Sequence, residues 1–288
     1  MKIICIYVSY NPDEKLLQES IESIIFQVNK VVVVNNSISH LRLLSDKSID
    51  VIELNENIGI AAAQNVGMLA AIKEKYDFLI LSDQDTIYPH NYIKEMLALF
   101  KNKYDVAAAV PTMIDLNRDV MDVVRFNVPC FMCKKKDSSL DSVVEVFEGA
   151  SSGTLIRVET LNEIGLMNER LFIDWVDFEW CWRARSCGYT ILGSKDVKIK
   201  HQLGGKGKKV FKKTVNKRDP IRHYYITRNA VFLSINSRSI SILCRILLFI
   251  KALQYIIGYP LLFKPGLQHF KFVLLGFFDG IRGKLGKL

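Results

Sequence analysis

Short apolar runs separated by polar stops divide the first hundred residues into alternating elements. Residues 3–8, 31–34, 51–54 and 78–81 are almost wholly apolar and rich in Ile and Val. Runs of that length and composition predict buried parallel strands. Between them, residues 14–27 carry helical spacing (Leu16, Leu17, Ile21, Ile24, Ile25), and N-I-G-I-A-A-A-Q-N-V-G-M at 57–68 opens a helix reaching about residue 75. A helix at 90–102 and a strand at 106–110, closed by Pro111, follow. Alternation of this kind predicts a doubly wound, mostly parallel α/β sheet.

Beyond Pro111 the pattern loosens. Residues 112–147 read as strands and a loop crossing the sheet, 148–154 (E-G-A-S-S-G-T) as a small-residue loop, 160–165 as a short helix stopped by Gly165, and 197–200 as a strand. These breaks divide the chain into 1–110, 111–238 and an apolar, helical 239–288, with 1–238 expected to form one domain.

The run at 78–81 ends in S-D-Q-D-T, which sets Asp83 and Asp85 one residue apart just before Pro89. Ligands of open α/β sheets sit outside the carboxyl ends of strands. Two carboxylates there repel each other unless a cation lies between them, and a hard divalent ion completed by phosphate oxygens meets that need. The alternative is an ordinary solvated turn.

Composition narrows the choices. The 288-residue chain is 49% hydrophobic, long enough for one large α/β domain with an appendage. Its short apolar start after Lys2 reads as a strand rather than a signal peptide. The six cysteines form no disulfide-like framework, and Cys130 and Cys133 make a lone C-x-x-C without a second pair. Reduced structural thiols and a cytosolic location are therefore expected. The net charge of +9 is uneven, with eleven Lys or Arg against Asp219 between Lys198 and Arg228. Such a block suits phosphate or anionic lipid, and no nucleic-acid-binding module accompanies it.

Other constellations add chemistry. At 57–68 the small residues around Gly59 let a ligand approach a helix N-terminus, with Asn57, Gln64 and Asn65 as polar contacts; close helix packing is the alternative. In L-F-I-D-W-V-D-F-E-W-C-W-R-A-R at 171–185, Asp174, Asp177 and Glu179 alternate with bulky groups. On a helix Asp174 and Asp177 share a face and Glu179 meets Arg183. Aromatic neighbours desolvate a carboxylate and raise its pKa, as a base acting on an alcohol requires. His201, after a strand and before L-G-G-K-G, suits a structural role, a third metal ligand or a phosphate contact. Arg222 and Arg228 stand among aromatics at a helix start, placed to clamp a diphosphate or to pack on the core.

Taken in order, V-S-Y-N-P at 8–12, N-I-G-I-A-A-A-Q-N-V-G at 57–67, S-D-Q-D-T at 82–86 and F-I-D-W-V-D-F-E-W-C-W-R-A at 172–184, extended by H-Q-L-G-G and Y-Y-I-T-R-N, resemble the family 2 glycosyltransferases of GT-A fold. They are most similar to bacterial rhamnosyltransferases of O-antigen and other cell-surface polysaccharides. The resemblance covers about residues 3–230 and makes 1–110 the nucleotide-binding half and 111–238 the acceptor half. It implies an inverting enzyme in which Asp83 and Asp85 hold Mg²⁺ or Mn²⁺, with His201, from its position after the strand, the candidate third ligand. Asp177 would deprotonate the acceptor hydroxyl, with Asp174 and Glu179 as second choices. Ser9, Tyr10, Asn11, Asn35, Asn57, Gly59, Gln64, Asn65, Asp83, Arg222 and Arg228 would contact the donor, and Ser151, Ser152, Gly153, Trp175 and Trp180 the acceptor. The donor implied is dTDP-L-rhamnose and the acceptor a saccharide on a polyprenyl diphosphate. Val176 stands where relatives carry Glu, and Asn35-Asn36 where many carry Asp, so thymidine and uridine both stay open. A UDP-hexose transferase, a nucleotidyltransferase and a non-catalytic membrane-surface nucleotide-sugar-binding protein are the rivals. Ser9-Tyr10-Asn11-Pro12 is not the Gly-rich phosphate loop the nucleotidyltransferase needs.

Residues 240–263 are apolar but interrupted by Arg245, Lys251 and Pro260, so an interfacial helix is expected rather than a transmembrane span. With 270–275 and the basic Arg282, Lys284 and Lys287, this region predicts peripheral attachment to the inner face of the cytoplasmic membrane. The alternative is a hairpin closing the core or an oligomer interface.

Overall fold

The computed structural model describes residues 1–42, 48–115, 126–130, 133–201, 208–210, 213–215 and 218–288. The Q-L-G-G-K-G segment of the basic loop lies outside them. Four parallel strands form the first half of an eight-stranded sheet: β1 (Ile3–Ser9), β2 (Lys30–Asn35), β3 (Ile49–Glu53) and β4 (Phe78–Asp83). α1 (Glu14–Glu22) and α2 (Ile60–Lys73) connect them, and α3 (Tyr92–Ala98) follows β4. The predicted helix at 14–27 ends early, in a 3₁₀ turn at Ile25–Gln27.

Beyond α3 come β5 (Val106–Asp115), β6 (Asn127–Pro129), β7 (Lys134–Lys136), β8 (Val143–Glu145), β9 (Thr154–Arg157), α4 (Leu161–Ile164), α5 (Val176–Ser186) and β10 (Thr190–His201). The sheet order is β3-β2-β1-β4-β9-β5-β10-β8, with β9 antiparallel to both β4 and β5. This inserted strand makes the sheet mixed, and it hands the 149–153 loop directly to the end of β4. β5 does not stop at Pro111: its register with β10 jumps between Gly193 and Lys198, opposite Val110 and Thr112. A bulge there leaves no ladder bond for the missing proline N–H to make. Apolar side chains fill both faces of the sheet, among them Ile4, Ile6 and Leu79 on one side and Cys5, Tyr7 and Ile80 on the other.

The small hairpin β11 (Lys208–Val210) and β12 (Lys213–Val215) precedes α6 (Pro220–Asn236), α7 (Ile242–Leu262) and α8 (Gly266–Arg282). Gly276 and Gly280 let α8 lie against the α6 backbone. A Cβ on Gly276 would run into the Tyr224 carbonyl oxygen, and one on Gly280 would come within 2.6 Å of that of Arg228. α7 corrects the expected interruption, because Pro260 falls in its last turn and Arg245 and Lys251 are its only charges. It is one continuous apolar helix of 21 residues, long and apolar enough by length and composition to cross a membrane. The cysteine expectation is also corrected in part: Cys133 and Cys244 form a disulfide joining the start of β7 to the first turn of α7. Cys5, Cys130, Cys181 and Cys187 are free thiols.

Candidate active site

The carboxyl end of β4 carries Asp83 into a crevice and the following turn brings Asp85 beside it. β10 ends opposite, with Ile87 and Lys200 bridging the two segments. His201, the last residue of β10, therefore points its Nε2 at both acids, 3.0 Å from Asp83 Oδ2 and 3.2 Å from Asp85 Oδ1. A proton on Nε2 has two carboxylates to serve, which holds the ring between them. The His201 side chain is 8% exposed and that of Asp83 36%, so this cluster opens on the Asp83 side.

Two carboxylates and an imidazole are a suitable donor set for a divalent cation. In the structure the three bond to one another, and among the described residues no group of three or more His, Cys, Asp or Glu is spread in the arrangement of a metal centre. A cation bound here would have to take over the contacts that the imidazole now makes with the acids.

The 149–153 loop joins this cluster to Asp177. Gly153, at φ +77°, donates its N–H to the Leu81 carbonyl at 2.7 Å. Ser152 Oγ lies 2.6 Å from Thr86 Oγ1 and accepts the Asp83 N–H at 3.4 Å, while the Ser151 N–H reaches Asp177 Oδ2 at 3.2 Å. Ser152 is buried, so it braces the Asp83–Asp85 turn rather than facing an acceptor. Asp177 stands in the first turn of α5 and also accepts from the Phe178 N–H at 2.9 Å. Burial pushes its pKa up to about 7, helped by the nearby charges of Asp83 and Asp174 and opposed by the two N–H donors.

The remaining acids part company with Asp177. Asp174 lies before α5 at φ +63°, so the two do not share a helical face. It is held by a bidentate bond from Arg222, Nε to Oδ2 at 2.8 Å and Nη2 to Oδ1 at 3.0 Å, with Arg218 Nη1 at 3.8 Å. Both carboxylate oxygens of Asp174 are thus engaged by arginine. Glu179 is buried against Arg183 at 2.8 Å, as its four-residue spacing predicts, and is committed there. Trp180 is buried with its indole N–H on the Gly165 carbonyl, and Trp175 is buried with its own on the Ile226 carbonyl. Both serve the core rather than an acceptor.

Several expected donor contacts are also structural. Gly59, at φ +91°, packs under Phe172, whose Cδ2 would lie 2.5 Å from an added Cβ, and the Phe172 carbonyl accepts from Ala61 N–H at 3.5 Å. The α2 N-terminus is thus partly covered by protein rather than open to an anion. Asn65 clamps Met167 through both its backbone groups and also meets Glu169. Arg228 is buried, stacked near the Tyr224 and Tyr225 rings, and donates to the Leu171 and Gly286 carbonyls. Asn35 is buried and bonded to Ser39 and Glu53. Asn57 Oδ1 accepts from Asn36 and Gly59, and Gln64 is buried with Oε1 unbonded. Ser9, at the end of β1, is fully buried with its Oγ 3.5 Å from Asn35 Oδ1, whereas the next two residues reach the surface beside β4: the Tyr10 N–H reaches Gln84 Oε1 at 2.8 Å, the Asn11 N–H reaches Ser37 Oγ at 2.7 Å, and the Tyr10 ring is exposed.

Arg218 is a functional candidate that sequence reading passed over within the basic block. Its signal was proximity to Arg222, four residues on in sequence. Arg218 lies just before α6 and Arg222 in its first turn, two guanidinium groups sharing one acid, and the field of Asp83 and Asp177 reaches Arg222.

The model of the family described as Glycosyl transferase family 2 matches residues 3–164. The chain is 30% identical over 298 residues to the dTDP-rhamnosyl transferase RfbF of Shigella flexneri, covering 99% of this chain and 97% of that protein. Among solved structures, S. aureus TarS 1-349 in complex with UDP superposes with a TM-score of 0.59 at 18% identity, covering 98% of this chain and 81% of the other. GalNAc-T7 with UDP, GalNAc and Mn²⁺ gives 0.55 at 15% identity, covering 70% of this chain and 44% of that one. A longer S. aureus TarS chain gives 0.62 at 16% identity, and this protein spans 49% of its length. These likenesses show the fold, the mixed GT-A sheet with its crevice at the end of β4. The matched family model and the full-length likeness show that the chain belongs to glycosyl transferase family 2 and is a glycosyltransferase.

Proposed function

We propose that the protein transfers L-rhamnose from dTDP-L-rhamnose to a saccharide carried on a polyprenyl diphosphate, with inversion, at the inner face of the cytoplasmic membrane. The observation that carries the chemistry is Asp177, a desolvated carboxyl oriented by two backbone N–H groups and tied through one short loop to Asp83 and Asp85. The choice of donor rests on the full-length likeness to a dTDP-rhamnosyl transferase.

In this reading Asp177 takes the proton of the acceptor hydroxyl as its oxygen bonds to the anomeric carbon. The bond from that carbon to the donor phosphate oxygen breaks on the opposite face, and dTDP departs. One displacement of this kind inverts the anomeric centre. Asp83, Asp85 and His201 would hold Mg²⁺ or Mn²⁺, which supplies positive charge to the departing diphosphate. Arg222 and Arg218 form a cationic wall beside the crevice, suited to the same phosphates. The reading places the α7 and α8 apolar surfaces, with Lys264, Lys271, Arg282 and Lys284 near them, on the lipid that carries the acceptor.

Binding and hydrolysis of dTDP- and UDP-sugars by the purified protein with Mn²⁺ or Mg²⁺ tests the donor. Metal-dependent selectivity for dTDP-L-rhamnose is expected. Preference for a UDP-sugar would overturn the donor while leaving Asp177 and the acid pair in their roles.

A further inference from the structure

The segment between Leu171 and Val176 is strained and well held. Phe172, Asp174 and Trp175 all have φ between +63° and +67°, a region side-chain-bearing residues seldom occupy, and Phe and Trp least of all. Such a run persists only where the surroundings determine it. Here most of the hydrogen bonds come from α6, while the start of α2 packs against Phe172. The Asn229 side-chain amide donates to the carbonyls of Leu171, Ile173 and Asp174 at 2.9, 2.8 and 3.0 Å. Arg228 adds a bond to the Leu171 carbonyl at 2.8 Å, and its Nε is fixed by Asn229 Oδ1 at 2.9 Å. Trp175 anchors its indole on Ile226, and Phe172 stacks on Tyr225 with centroids 5.0 Å apart. Asp177 begins two residues later.

α6 is in turn held from behind. Arg228 also donates to the Gly286 carbonyl, the Gly286 N–H bonds Arg170 at 2.8 Å, and the Leu288 N–H reaches the Tyr225 hydroxyl at 2.9 Å. Gly276 and Gly280 bring α8 against the same stretch of α6 backbone.

We infer that Asn229, with Arg228, is a positioning residue. By pinning three carbonyls of the strained 171–175 turn, it sets the start of α5 and so the aim of Asp177, and α8 with residues 283–288 backs that support. This rests on the reading of Asp177 as base. Asn229→Asp is nearly isosteric but presents a carboxylate to three carbonyls, and Asn229→Ala removes the donors outright.

The test uses the full chain with dTDP-L-rhamnose and Mn²⁺, reading donor turnover and KM, alongside amide hydrogen exchange and an Asp177→Asn reference. Positioning predicts turnover lowered at least 30-fold in Asn229→Ala with donor KM within about 3-fold. It also predicts exchange across 171–178 faster by at least 10-fold while β1 and β4 keep their protection. A merely structural residue would lower the unfolding temperature and leave the turnover of folded protein unchanged, which overturns the proposal. Unchanged exchange across 171–178 overturns it whatever the donor proves to be. Should Asn229→Ala not fold, Arg228→Lys, which keeps the charge but loses the planar fork of donors, is read in the same way. Full turnover in Asp177→Asn would instead refute the base reading on which the proposal stands.

Discussion

At the residue scale, Asp177 decides how the site depends on pH. Its carboxyl titrates near pH 7 instead of in the ordinary carboxylate range, chiefly because it is buried. A general base works ionised, so turnover should climb through about pH 7 to a plateau, and Asp177→Asn should lose at least about 10³-fold in rate, read by donor turnover. Stability runs the other way. Between about pH 4 and 7 the native state keeps a proton that the unfolded chain has released, so raising the pH through that window destabilises the fold. Asn cannot titrate. Asp177→Asn should therefore gain on the wild type between pH 5 and 8, on the order of 2 kcal/mol once the partial solvent contact of the group is allowed for, as read by denaturant unfolding at both values. Equal pH dependence of the two proteins would count against the buried carboxyl. Asp174 supplies the contrast, since Arg222→Ala leaves it without its bidentate partner. That change should weaken nucleotide diphosphate binding at least 10-fold in calorimetric titration.

At the scale of elements, close approach governs how the C-terminal helices seat. Gly276→Ala gains helix propensity worth about 1 kcal/mol. The added Cβ, however, would run into the Tyr224 carbonyl oxygen of α6, and neither helix can yield there without moving. Overpacking of this kind costs about 1–3 kcal/mol, so net destabilisation is expected, measured as a lowered unfolding midpoint. The β5 bulge is a second case in which local sequence misleads. Pro111 reads as a strand stop, yet the strand continues because its partner skips residues at that point. Motif spacing located α5 and its Glu179–Arg183 pair. It gave no warning that Asp174 falls outside the helix, since nothing in F-I-D-W announces three left-handed residues in four.

At the scale of the whole molecule, one side of the α6–α8 bundle is left apolar. Ile242, Ile246, Ile250, Ile257 and Leu261 of α7 and Leu267, Phe270, Phe278 and Ile281 of α8 are all exposed. Ile246→Glu with Ile257→Glu should reduce co-sedimentation with anionic phospholipid vesicles at least 10-fold while leaving the unfolding temperature in place. Sedimentation equal to wild type would end the membrane reading. Substitution is preferable to removing 239–288, because α6 packs on α8 and would be stripped by the truncation. The Cys133–Cys244 disulfide spans 111 residues and ties the middle of the chain to α7. Closing so long a loop restricts the unfolded chain, so reduction should lower stability by about 2–4 kcal/mol, checked by unfolding with and without reductant after peptide mapping of the pair.

By itself the sequence determined the features that local chemistry dictates. Apolar runs of strand length specified the parallel half of the sheet, because β1, β2 and β4 are buried on both faces; the run at 51–54, expected to be buried as well, forms the edge strand β3, which contains no buried residue. The S-D-Q-D-T stop placed the acid pair at a strand end, and aromatic residues around Asp177 marked a carboxyl that folding would desolvate. Tertiary structure decided everything that depends on which groups meet across long separations. His201 joins Asp83 from 118 residues away, Arg222 reaches back 48 residues to claim Asp174, and Asn65 spans 102 to hold Met167. Arg228 and Trp180 look equally suited to a ligand in a linear reading. Only the packing of α5, α6 and α8 commits them to the interior, where their polar atoms must bond to protein because no water can reach them.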